Sequence, residues 1–100
     1  VGICFDVGHA YISEGDGLYD AYRRNAARII HIHLADNHGV DDEHLEPGQG
    51  DIDLARFYDV VQASGFSGLV QLEVKPPEAD DPLAFYRRNY QRFARGFRPA

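Results

Sequence analysis

Three times along this chain a short apolar run gives way to a loop and then to a stretch with helical spacing. That alternation constrains the fold more than any single residue. Residues 1–5 are an apolar run ended by Asp6 and Gly8, the length of a buried strand. After a loop containing Gly15 and Gly17, the residues Leu18, Tyr19, Tyr22, Ala26 and Ile29 recur at helical spacing, with Asp16 as candidate cap. In the second strand, 29–34, alternation puts Ile30, Ile32 and Leu34 on one side and His31 and His33 on the other. A polar loop covers 35–51; counted with Asp53 it holds seven acids and no Lys or Arg. Gly48 and Gly50 permit tight turning near its end. Asp53 caps a helix with Leu54, Phe57, Tyr58, Val60 and Val61 as its stripe, closed at Ser64 and Gly65. Residues 68–74 form a third strand, and Pro76 and Pro77 break the chain. Asp81-Pro82 then starts a last helix whose core side is Leu83, Phe85, Tyr86, Tyr90, Phe93 and Phe97. Strands alternating with helices predict βαβ units and a parallel sheet, either open and doubly wound or part of a barrel. Gly15-x-Gly17 lacks a third glycine and lies far from Asp6, so it makes no dinucleotide fingerprint.

One hundred residues bound the chain to a single domain, 1–100. At 44% hydrophobic and 26% charged, it is globular rather than disordered. No apolar run approaches the roughly 18 residues that span a bilayer. There is no signal peptide or targeting sequence, and the expectation is a cytoplasmic chain without membrane partners. The one cysteine, Cys4, excludes an intramolecular disulfide and fits a reducing compartment; inside an apolar strand it reads as a small buried hydrophobe. The chain opens inside a strand and contains no methionine, so it reads as a piece of a longer one. The net charge of −6 divides into −11 over 1–81 and +5 over 82–100. The acidic part disfavours extended nucleic-acid binding. Arg87, Arg88, Arg92, Arg95 and Arg98 fall on the last helix and read as a solvated face with favourable charge near its C-terminus.

Asp6 closes an apolar strand, where an unpaired carboxylate is costly, so it needs a cation or hydrogen-bond donors. The competing account is a cap or turn aspartate bonding the backbone of 7–9. His9, three residues on, folds back beside it. His31 and His33 share a face, roughly 6–7 Å apart. His33 is better placed at a barrel mouth, and His31, lying deeper, reads as a core histidine that orients a neighbour by hydrogen bonding. Asp36 and Asn37 follow at the rim. Asp42 and His44 stand two apart in the acidic loop, open between a metal or substrate contact and plain solvation. Glu73, inside an apolar strand, points to a ligand or catalytic base, with a pair to Lys75 as the structural alternative. Carboxylates and imidazoles are the ligand set of a divalent metal such as Zn²⁺ or Mn²⁺. Asp6, His33 and Glu73 fall at corresponding ends of three consecutive parallel strands, around one point. A (β/α) barrel gathers its active site at that end.

The segments at 2–10 (GICFDVGHA), 31–37 (HIHLADN), 42–53 (DEHLEPGQGDID) and 72–73 (LE) resemble the xylose isomerase-like TIM-barrel superfamily. That superfamily includes sugar-phosphate isomerases and epimerases, inosose dehydratases, hydroxypyruvate isomerases and endonuclease IV-type enzymes. The resemblance covers nearly the whole chain and implies the C-terminal portion of a (β/α)8 barrel, about its last three βα units. It implies that Asp6, His33 and Glu73 bind a divalent ion (Mn, Mg, Co or Zn), with a fourth ligand, a glutamate of an earlier strand, absent from this sequence. It makes His9, Asp42 and His44 substrate contacts; Asp42 and His44 also match a zinc pair of the endonucleases. The implied chemistry is proton abstraction next to a carbonyl of a sugar or sugar phosphate, through a metal-stabilised enediolate. Glu73 is one of the two catalytic carboxylates and the missing glutamate the other. A chain with half of that pair is expected to have little activity alone. Two other functions stand beside this one: an endonuclease IV-like zinc enzyme cutting abasic DNA, and a non-catalytic piece that associates with copies of itself or with the missing barrel half through its open edges.

Overall fold

A computed structural model describes residues 2–78 and 81–98. Three parallel strands, β1 (Ile3–Asp6), β2 (Ile29–Leu34) and β3 (Leu69–Leu72), form one sheet in that order. The helices between and after them are α1 (Val7–Glu14), α2 (Leu18–Asn25), α3 (Leu54–Ala63) and α4 (Pro82–Ala94), with short 3₁₀ turns at Gly15–Gly17 and Ala26–Arg28. The βα units and the parallel sheet therefore stand as the sequence implies. Among the described residues no helix is long and apolar enough to cross a membrane.

The core lies on one face of the sheet. Phe5 meets Tyr22 of α2 edge-on at 5.4 Å and Phe57 of α3 face-on at 6.0 Å, with Ile32 fully buried beside them. Tyr22 keeps its hydroxyl satisfied on Ser64 Oγ, 2.9 Å away. The opposite face carries Cys4, His31, His33, Leu69 and Gln71, because register partners share a side: Cys4 faces His31, Asp6 faces His33, and His33 faces Gln71. Helices do not cover this face. Cys4 is consequently exposed, not the buried hydrophobe expected from its strand.

Other departures have local causes. Residues 7–14, read as loop, form α1, a helix whose apolar side chains do not gather on one face and whose buried part is its first turn, Val7 and Gly8. Asp16 does not cap α2; it sits in the 3₁₀ turn, and Gly17 precedes α2 without a side-chain cap. Ile29 leaves the helix to open β2. Ile30 is 62% exposed: the β1–β2 register shifts there, pairing Ile3 with Ile29 and Cys4 with His31, and leaves Ile30 as the extra residue. Gly68 is required where the chain enters β3: a Cβ there would collide with the carbonyl of Ile30. The third strand ends at Leu72, although the Glu73 amide still donates to the Leu34 carbonyl at 2.9 Å. Asp53 and Asp81 cap α3 and α4 as read, accepting from the amides of Arg56 and Leu83. Of the apolar residues assigned to the core side of α4, Phe85 is buried, whereas Leu83, Tyr86 and Tyr90 are exposed; Tyr86 and Tyr90 line an open groove with Leu34, Val70 and Leu72 of the sheet. Asn89, not an apolar residue, is the other buried position of that helix.

Truncating Phe5→Ala removes the ring that joins β1 to both α2 and α3. It should lower unfolding free energy by about 3–4 kcal/mol, measured from the urea midpoint.

Candidate metal centre

Asp6 ends β1, His33 is the penultimate residue of β2, and Glu73 follows β3 by one position. The sheet register stacks them on the uncovered face: Asp6 beside His33, and Glu73 two residues beyond the partner of His33, Gln71. His33 Nδ1 lies 3.2 Å from Glu73 Oε1 and 4.0 Å from Asp6 Oδ2. One ligand atom from each of the three falls within 4.8 Å of the other two. Donors bound to one ion at about 2.0–2.2 Å stand about 3–4 Å apart, so these residues fit a divalent cation with little movement. Each side chain is between a quarter and a third exposed, which leaves access from solvent. Asp6 serves both accounts of it at once: Oδ1 accepts the amide of His9 at 2.9 Å and caps α1, while Oδ2 faces His33. Glu73 pairs with His33 rather than with Lys75.

The acidic loop supplies a second tier. Asp42 Oδ2 is 2.8 Å from His9 Nε2 and 3.1 Å from His44 Nε2, and the other nitrogen of His44, Nδ1, donates to the Glu73 carbonyl at 2.8 Å. The pair therefore bridges α1 to the residue after β3. Both nitrogens of His44 face acceptors, which favours the imidazolium; the bond to the Glu73 carbonyl leads in raising its pKa. His9 is raised chiefly by its hydrogen bond to Asp42, which is lowered by the same contact. His44 also holds a backbone φ of +54°, unusual outside glycine and sustained by these two bonds. His31 lies below the centre, its ring edge-on to His33 at 4.8 Å. That contact is between ring faces and edges, not the hydrogen bond expected of an orienting histidine.

Two acids, Asp36 buried and Glu46 partly buried, give the loop its shape. Asp36, expected at the rim, is 1% exposed and accepts from four backbone amides, those of Asn37, Gly48, Gly50 and Ile52, at 2.9 to 3.1 Å. Gly50 has no substitute here, because a Cβ would run into Asp36 and the Asn37 backbone. Asn37 ties the same loop to the start of α1 by donating to the Gly8 carbonyl at 3.0 Å. Glu46 accepts from Arg88 Nε at 2.6 Å, Arg92 Nη1 at 2.9 Å and Asn89 Nδ2 at 3.0 Å, which fastens the loop to α4. The Arg88 bond leads in holding the Glu46 carboxyl below its usual range. Arg88 and Arg92 are thus a clamp rather than the solvated face expected, and Arg98, past the end of α4, pairs with Asp59. Sequence reading missed Asp36 as an organiser and Glu46 altogether. The signal available was two acids bordering apolar residues or proline, in a loop otherwise free to be solvated.

A family model described as xylose isomerase-like TIM barrel matches residues 1–92. The chain belongs to that family. It is 36% identical over 76 residues to an uncharacterised protein of Methanocaldococcus jannaschii, covering 75% of this chain and 26% of that protein. It is 33% identical over 87 residues to the 3-dehydro-D-guloside 4-epimerase of Escherichia coli K12, covering 87% and 30%. The crystal structure of a D-tagatose 3-epimerase-like protein superposes with a TM-score of 0.76 at 27% identity, covering 96% of this chain and 34% of that one. This member of the xylose isomerase-like family thus spans about a quarter to a third of the length of these relatives. Its sheet is a part of the barrel, and the uncovered face corresponds to the barrel interior, where the strands' inward side chains meet.

The charge states set a pH window for the loop. His9 and His44 are raised above 6.5, so their contribution is complete below 6.5 and is lost as pH climbs through their raised values. Asp42 is lowered below 3.8, so its contribution is complete above 3.8 and is lost as pH falls through its depressed value. The metal-free loop should therefore be best protected between 3.8 and 6.5. Amide exchange of 38–45, corrected for intrinsic rates, should quicken on either side of that window, and Asp42→Asn should flatten the profile. In a separate measurement, Asp36→Ala should cost about 3 kcal/mol of stability by stranding buried amides. Asp36→Asn should not restore it, because its Nδ2 would face N–H groups.

Proposed function

We propose that the chain carries part of the site of a metal-dependent sugar or sugar-phosphate isomerase or epimerase, which moves a proton next to a carbonyl. The observation that carries this reading is the convergence of Asp6, His33 and Glu73 at the ends of three parallel strands. The kinship with an epimerase of a 3-dehydro sugar supports it, since inverting carbon 4 beside a carbonyl at carbon 3 requires exchange of the proton on that carbon.

Asp6, His33 and Glu73 would hold the cation, which when bound polarises the carbonyl and neighbouring hydroxyl of a keto-sugar. Glu73 has two oxygens, and Oε1 is the one nearest His33. We assign the removal or return of the proton to the Glu73 carboxylate, which is part-exposed beside a shallow groove lined by Glu43, His44, Gln71 and Lys75. His44 holds the backbone of Glu73 through its carbonyl, so the loop fixes where that carboxylate stands. His9, exposed on the rim and oriented by Asp42, is placed to donate a hydrogen bond to a substrate hydroxyl. Substrate contact by His9, Asp42 and His44 is part of the same proposal.

Manganese binding followed by calorimetry should be lost in Asp6→Asn. Turnover of keto-sugars by the protein in its complete barrel should fall about 10²–10⁴-fold in kcat for Glu73→Gln. Unchanged turnover in Glu73→Gln removes the catalytic role. Cleavage of abasic duplex DNA with zinc, in place of sugar turnover, overturns the reading.

A further inference from the structure

The proposed reaction uses neither Cys4 nor His31, yet both stand on the uncovered face, one register step closer to the strands' N-terminal ends than Asp6 and His33. Cys4 is paired with His31 across the β1–β2 ladder, directly below the Asp6–His33 pair. One donor atom from each of Cys4, His31 and His33 lies within 4.8 Å of the other two. The thiol is free and exposed. His31 Nε2 is buried and has no hydrogen-bond partner. A buried ring nitrogen without a partner is uncommon and needs a reason. His31 belongs to a group whose other members are a thiol and a second imidazole.

We propose that Cys4, His31 and His33 form a second, softer metal site that takes a thiophilic divalent cation, Zn²⁺ or Cd²⁺, and competes with the carboxylate centre for His33. One sulfur and two nitrogens are a common donor set for such ions, with a fourth position left for water. The two groups divide by softness. Two carboxylates and an imidazole suit Mn²⁺ or Mg²⁺, whereas a thiolate and two imidazoles suit zinc and its heavier analogue. Binding is a proton-for-metal exchange: the S–M bond forms as the Cys4 thiol releases its proton to solvent, with no change of oxidation state. Because His33 belongs to both groups, a soft ion in the lower site weakens the hold of the upper site on a hard one. The site stands on its own geometry and does not depend on the sugar reaction.

Titration of the full chain with Cd²⁺ alone tests this through the ultraviolet charge-transfer band of a cadmium thiolate. The band should saturate at one cadmium per chain and vanish in Cys4→Ser. His31→Gln should weaken binding about 10–100-fold, as loss of one ligand does. Asp6→Asn should keep the band, and Mn²⁺ binding should persist in Cys4→Ser while losing its sensitivity to added Cd²⁺. Zinc should also slow alkylation of Cys4 in the parent chain but not in His31→Gln, a readout that needs no cadmium. No band in the parent chain, a band indifferent to His31→Gln, or loss of the band in a folded Asp6→Asn would each overturn the proposal. Loss of Mn²⁺ binding in Asp6→Asn with the cadmium band intact separates the two centres.

Discussion

Alternate residues of three parallel strands face the helices, and the packing of Phe5 and Ile32 on that side fixes where all the others point. A one-residue slip of β2 would turn His31 and His33 into the aromatic core and expel Ile32 to the open face. Burial of Phe5 between Tyr22 and Phe57 makes such a slip costly. The same apolar contacts therefore hold the fold and aim the chemistry. Cys4, Asp6, His33 and Glu73 need no packing of their own to reach a common face; the sheet's parity delivers them there.

Strands bring Asp6, His33 and Glu73 together, whereas Asp42 and His44 are brought over the top by a loop, and a loop as acidic as 35–51 resists that. The resistance is met by backbone amides and by α4. Asp36 collects four N–H groups around a buried carboxylate, and Glu46 collects two guanidinium groups and an amide. Charge that would repel within the loop is instead met by the loop's own amides at Asp36 and by cations distant in sequence at Glu46. With both ends fastened, Asp42 and His44 reach His9 and the backbone of Glu73. The Glu46 pairs, with Arg88 39% and Arg92 34% exposed, add little net stability. Their effect here is positional, since they hold the loop in one arrangement.

How much of this was legible depended on whether the signal was local. β2 is bounded by its own alternation, and α3 and α4 by Asp53 and Asp81, whose capping geometry involves residues two or three away. The grouping of Asp6, His33 and Glu73 was legible because strand ends in a parallel sheet align by rule. The helix α1 was not, since Gly8 and an unfocused apolar pattern conceal it. Glu46 meets Arg88 and Arg92 across 42 and 46 residues, and nothing in a single sequence announces that distance. Asp36 binds backbone amides, which carry no residue identity at all. Cys4 is exposed on the face that corresponds to the barrel interior: apolar neighbours mark a strand, but not which of its faces the helices cover.

The two tiers of histidine differ in what surrounds them, and that difference argues for different tasks. His44 has both nitrogens engaged, one by a carbonyl and one by a carboxylate, so it holds Glu73 and Asp42 in place and meets a substrate only by releasing Asp42. His9 has one nitrogen on Asp42 and the other 3.6 Å from Asp6 on an exposed ring, so it can exchange its partner for a substrate hydroxyl at little cost. His33 stands between two carboxylates, 3.2 Å from Glu73 and 4.0 Å from Asp6, so a cation proposed there would meet one ring nitrogen and two carboxylate oxygens.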